Sequence, residues 1–85
     1  MRRRSRVDVI MDMLREARTE ISKTKLMYRC NLNFNSFNSY FEELLDKGLL
    51  IEIKHNPGRR ILYKTSEKGK NFLRALIEVS KVLSK

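Results

Sequence analysis

Cysteine occurs once in these 85 residues, as Cys30, so no internal disulfide can staple the fold. A chain of this size hides only about 60 to 65% of its unfolded surface, which makes the missing staple matter. The single histidine, His55, has no His or Cys cluster around it, so no structural metal and no cofactor are expected. Oligomerisation is the remaining source of stability. No apolar run nears the ~20 residues that span a bilayer. Arg2, Arg3 and Arg4 resemble the start of a secretion signal, but the VDVIMDMLREAR segment that follows soon after is charged every few residues and supplies no apolar core. The sequence predicts a cytoplasmic protein with no membrane partner. Paired carboxylates, a Ser/His/Asp set, a phosphate loop and a ligand cluster are all missing, which argues against an enzyme.

What is present is positive charge. Nineteen Lys and Arg stand against ten Asp and Glu, a formal net charge of +9. A balance this basic points to an acidic partner, most often nucleic acid, over the plainer reading of a merely soluble basic protein. Acid placement sharpens the inference. None lies between Ile21 and Phe41, and none between Ile53 and Ser66, so two stretches are purely cationic or neutral.

Ser5, followed by Asp8, sets up a capping box for a first helix from about Arg6 to Ala17. Val7, Ile10, Met11, Leu14 and Ala17 share a face, and Val9 with Met13 widen it beyond one docking surface. Residues 1–4 form a basic arm, with Arg2, Arg3 and Arg4 as candidate phosphate or minor-groove contacts beside the alternative of a solvated tail. Thr19 to Ile21 is expected as a short extended link. Ser22 caps a second helix to about Cys30, exposing Lys23, Lys25 and Arg29. Cys30 is most simply a core residue, since no base stands near enough in sequence to activate it.

The stretch NLNFNSFNSYFEELLDK, from Asn31 to Lys47, organises the rest. At 100° per residue Phe34, Phe37, Tyr40, Phe41, Leu44 and Leu45 fall within an arc of about 140°, an amphipathic helix with one docked face. The other face offers Asn35, Ser36 and Ser39 in its first half, then Glu42, Glu43 and Asp46. Asn33 suits its N-cap and Gly48 its end, and a turn of about three residues separates it from the second helix, the spacing of a helix-turn-helix. The uncharged half is suited to reading DNA.

From Leu49 the period becomes two, with Leu49, Ile51 and Ile53 on one side and Leu50, Glu52 and Lys54 on the other. Asn56-Pro57-Gly58-Arg59 is a turn signal, and Arg60 to Lys64 returns as a second strand. Lys54, His55, Arg59 and Arg60 make this hairpin a candidate phosphate contact. Ser66 caps a last helix from Glu67 to about Ser84. Phe72, Leu76, Val79 and Leu83 form one seam, with Leu73 and Ile77 beside it, an apolar arc too wide for packing on one small domain. Self-association through Val9, Met13, Leu73, Leu76, Ile77, Val79 and Leu83 is the expected reason.

The order helix, short strand, helix, helix, strand, strand, helix is an α+β winged helix-turn-helix plan. With SKTKLMYRCNLNF, SYFEELLDKGLL and YKTSEKGKNFL, the chain resembles the small archaeal winged-helix DNA-binding proteins, some chromatin-associated and some regulators, that dimerise through a long C-terminal helix. The resemblance covers roughly residues 5 to 83. It implies a basic arm (1–4), a winged domain (5–65) and a dimerisation helix (66–85). It further implies a homodimer on double-stranded DNA, with the third helix in the major groove and the hairpin as the wing. Carried over by position, Asn33, Asn35, Ser36 and Ser39 are the base-reading candidates. Relatives often carry Lys or Gln where this chain has Asn35, Ser36 and Asn38, so its reading helix is neutral. No effector site is evident. A nucleoid-associated regulator is the expectation, with a weakly specific chromatin protein, a protein-interaction module and, further off, an RNA binder as alternatives.

Overall fold

Helix starts coincide with side chains able to satisfy the unpaired N–H groups of a first turn. Ser5 accepts from Asp8 N–H while the Asp8 carboxylate takes the Ser5 N–H, a complete capping box. Ser22 accepts from Lys25 N–H at 3.2 Å, and Asn33 accepts from Ser36 N–H at 2.9 Å. In a computed structural model that describes residues 4–55, 58 and 60–83, these caps open α1 (Arg6–Glu16), α2 (Lys23–Arg29) and α3 (Phe34–Asp46). Strands β1 (Leu50–His55) and β2 (Arg60–Thr65) and helix α4 (Glu67–Leu83) complete the order.

The hairpin is antiparallel, with Leu50 opposite Thr65 at its root and His55 opposite Arg60 at its far end. The third strand expected at Thr19–Ile21 is reduced to one residue. Ile21 exchanges both backbone hydrogen bonds with Tyr63, at 3.0 and 2.8 Å, and forms an isolated bridge. The reason is local: residues 17–19 still turn after α1, and Ser22 is already committed as a cap. The described sheet therefore has two strands. The turn residues Asn56, Pro57 and Arg59 lie outside the described residues, and Gly58 is exposed in the turn.

Met13, Leu14, Ala17, Leu26, Phe37, Leu44 and Leu50 are almost fully enclosed in a core shared by all the helices and the root of the hairpin. Phe41 stacks on Phe37 at 5.2 Å and meets Tyr63 edge-on at 4.8 Å, tying α3 to the wing. Leu49 and Leu50 are both buried whereas Ile51 and Glu52 are both exposed, so burial at the start of the strand does not alternate as the sequence pattern suggests. Leu49 belongs to the turn that closes on α3, its N–H donating to Leu44 at 2.9 Å.

Helix α4 packs on α1, and its last three residues are exposed. Ser80 donates to the Met11 sulfur at 3.4 Å, and Val79, Val82 and Leu83 are exposed. Three expected dimer residues are corrected here. Val9, Met13 and Leu73 are buried inside the subunit, where α1 and α4 use them against each other and the core. None of the described helices is long and apolar enough to cross a membrane.

Candidate nucleic-acid interface

Two helices can meet at a fixed angle only if the turn between them is closed by its own hydrogen bonds. Asn31 takes the left-handed conformation, φ +54°, that a short polar side chain tolerates, and its N–H donates to Tyr28 at 3.1 Å. Leu32 N–H donates to Met27 at 3.3 Å, and Asn33 caps the next helix. The turn thus sets α3 against α2 with Phe37, Phe41 and Leu44 inward. Asn35, Ser39, Glu42 and Asp46 then share one outward line, all exposed.

The base-reading candidates separate under this geometry. Asn35 and Ser39 lie on the outward line. Ser36 is exposed on the flank that holds Tyr40 and Glu43. Asn33 is exposed, but its side-chain oxygen is already occupied by the Ser36 N–H, so a paired contact to adenine from both ends of its amide is closed to it.

The cationic candidates also differ in how free they are. Lys25 and Arg60 line one cleft of about 440 Å³ with Tyr28, Thr24 and Leu62, which joins the first half of α2 to the returning strand of the wing. Glu20 stands on the same rim. Lys23 sits over the Phe41 ring at 4.9 Å, on the flank of α3 nearest the wing. Arg29 faces Glu16 at 3.5 Å and Lys54 faces Glu52 at 3.7 Å, both at the surface, where such pairs give way readily to a phosphate. Arg4 is not part of a loose arm: it bonds the Cys30 carbonyl at 2.6 Å and the Asp12 carboxylate at 2.9 Å. Arg2, Arg3 and Arg59 lie outside the described residues, as does the side chain of His55.

The acidic half of α3 is partly neutralised. Glu43 is paired with Arg6 of α1 and with Lys47 at 2.8 Å. Hydrogen bonds from Lys47 and Arg6 hold its carboxyl below the usual range. Glu42 and Asp46 remain outward, so a polyanion is accommodated at the first half of the helix and repelled at the second. Burial, then the nearby Asp12 and Glu16 charges, push the Cys30 thiol up to about 11, against the opposing pull of Arg4. It stays protonated at neutral pH, as a core residue should. Among the described residues no group of acids, His and Cys is placed to hold a metal ion.

Sequence periodicity places every Phe on an apolar face, and two of them, Phe34 and Phe72, are exposed. Phe34 is 63% exposed at the start of α3, with Lys23, Thr24 and Met27 of α2 on one side of it. Tyr28 is 73% exposed. Asn38, one turn after Phe34 on the same flank, has a side-chain oxygen that meets no hydrogen-bond partner among the described residues. No periodicity marks these residues out.

The model for the winged helix-turn-helix family matches residues 3–84. Among solved structures, Sso10a-2, a DNA-binding protein from Sulfolobus solfataricus, is 25% identical, with a TM-score of 0.82 over 95% of this chain and 83% of that one. The transcriptional regulator BldR from Sulfolobus solfataricus is 21% identical, with a TM-score of 0.72 over 91% of this chain and 60% of its own. The PcaV transcriptional regulator from Streptomyces coelicolor is 20% identical, with a TM-score of 0.70 over 85% and 54%. This chain spans little more than half the length of these two regulators, which share its fold. No curated protein sequence matches it. With a family model covering nearly its whole length, the chain belongs to the winged helix-turn-helix family.

Proposed function

We propose that this protein binds double-stranded DNA as a homodimer and acts as a transcriptional regulator, without enzymatic activity. The observation that carries the reading is the convergence of Lys25 and Arg60 on one cleft between α2 and the returning strand of the wing. Phosphate contacts from Lys23, Lys25, Arg29 and Arg60 supply most affinity through counterion release. Asn35 and Ser39, at the outward line of α3, supply the base contacts in the major groove. The similarity to a Sulfolobus DNA-binding protein supports the same reading.

Dimerisation rests on α4. Phe72, Leu76, Val79 and Leu83 recur at spacings of four, three and four residues, the seam of paired helices. Phe72, Val79 and Leu83 are exposed, and Val82 beside them is more exposed still than Val79. A second copy of α4 covers this stripe. The dimer then presents two reading helices, so a preferred site is roughly palindromic, with half-sites about 34 Å apart or a multiple of it.

Because α3 has no Arg or Lys before Lys47, selectivity is modest, and a chromatin-type role on weakly preferred sites is the second reading. Selection from a random duplex pool tests both. A regulator enriches a palindrome, and a chromatin-type protein retains duplexes with a flat profile. Retention of no duplex contradicts DNA binding altogether and leaves a protein-interaction module.

A further inference from the structure

We propose that Phe34, with the hollow beside it, seats the 5-methyl group of thymine in the major groove and gives this chain a preference for sites containing A·T pairs. The proposal rests on the DNA-binding reading above and adds to it a contact that reads base identity.

An aromatic ring 63% exposed on an 85-residue protein keeps a large apolar area in water, a standing cost unless something covers it. Phe34 is the first residue of α3, next to Asn35. Beside its ring lies a hollow of about 130 Å³ lined by Lys23, Thr24, Met27, Phe34 and Phe37. Three of these residues are apolar, and Lys23 and Thr24 are the polar ones. That volume takes a methyl group and the edge of the ring that carries it, but not a free nucleoside.

The chemistry of the groove narrows the occupant further. Base edges in the major groove carry hydrogen-bond donors and acceptors, and the thymine 5-methyl is the one apolar group among them. A mainly apolar hollow with a lysine among its lining residues matches a methyl group with a phosphate close by. Guanine finds no Arg or Lys on α3 before Lys47 to clamp it. The same helix start that lacks a cation therefore holds an apolar feature able to sense the thymine methyl.

Replacing thymine by deoxyuridine removes that methyl and no hydrogen-bonding group, so it isolates the contact. Affinity is measured for one mixed-sequence duplex and its fully deoxyuridine-substituted copy, with the wild-type chain, Phe34→Ala and Phe34→Leu, at fixed salt. Wild type loses about fourfold for each methyl it seats. Phe34→Ala binds both duplexes alike with an unchanged salt dependence, because no phosphate contact has been removed. Phe34→Leu keeps part of the discrimination. Equal wild-type affinity for the two duplexes overturns the proposal, as does a thymine-to-uracil ratio that survives in Phe34→Ala. Failure to bind either duplex at low salt overturns the DNA-binding reading itself, and the proposal with it. The wild-type comparison needs no variant to fold, and Phe34 is exposed enough that its truncation opens no core cavity.

Discussion

The Thr65 hydroxyl donates to the Leu14 carbonyl at 2.7 Å, joining the last residue of the wing to the last turn of α1 across fifty-one positions of sequence. Leu14 is one of the terminal carbonyls that a helix cannot satisfy internally. Thr65 N–H donates to Ala17 at 2.7 Å as well, so one residue closes the end of α1 twice. Thr65→Val keeps the shape and removes only the hydroxyl, leaving a buried carbonyl without its partner. The expected loss is about 1 to 3 kcal/mol, read as a lower midpoint in urea denaturation with an unchanged slope.

Gly69 offers a reversal of ordinary helix propensity. Glycine to alanine inside an exposed helix stabilises by about 1 kcal/mol. Here a Cβ would stand 2.2 Å from the Leu49 carbonyl oxygen and 2.7 Å from Thr65 Cγ2. That carbonyl also accepts from Ser66 N–H at 3.1 Å, so it is not free to move aside. Gly69→Ala should destabilise by about 1 to 3 kcal/mol, a fall of several degrees in thermal midpoint. A rise in midpoint would show that α4 does not approach the Leu49 turn so closely.

Glu43 gives a pH dependence with a definite sign. Its carboxyl is held below the usual 4.5 by hydrogen bonds from Lys47 and Arg6. A depressed carboxylate contributes stability above its unfolded value and loses it as pH falls through the folded one. Stability of the wild type should therefore decline more steeply below about pH 4.5 than that of Glu43→Gln. The group is at the surface and salt weakens the effect, so the two curves converge at high ionic strength.

How much of this was legible in the sequence follows the range of the interactions. The caps at Ser5, Ser22 and Asn33 and the turn at Gly48, φ +73°, depend on neighbours within four residues, and local pattern places them. The wing and the helix-turn-helix spacing follow in the same way. The expected third strand did not, because Ile21 pairs across forty-two positions and only Glu20 and Ile21 are left between a turn and a cap. Val9, Met13 and Leu73 read as surplus apolar residues until α4 is laid on α1. In the candidate interface, Asn35, Ser39 and Lys25 were legible as exposed polar positions on helices. Exposure of Phe34, the tie between Arg4 and Asp12, and the shared cleft of Lys25 and Arg60 are tertiary facts with no periodic signal.

Self-association through α4 is tested by charge on its exposed seam. Val79 and Leu83 are 54% and 77% exposed, so Val79→Glu with Leu83→Glu leaves the core of the subunit intact. Sedimentation equilibrium should show the wild type as a dimer and the double variant as a folded monomer. A wild type that sediments as a monomer at all concentrations contradicts the seam.

The central claim is that phosphates bind where α2 meets the wing, and a salt titration of duplex binding tests it most directly. The logarithm of affinity should fall linearly with the logarithm of salt, by about 0.9 for each phosphate neutralised. Lys25→Ala with Arg60→Ala should weaken binding to every sequence alike and flatten that slope by up to about two units. Unchanged affinity and slope in the double variant would contradict the account, placing the DNA elsewhere or nowhere on this surface.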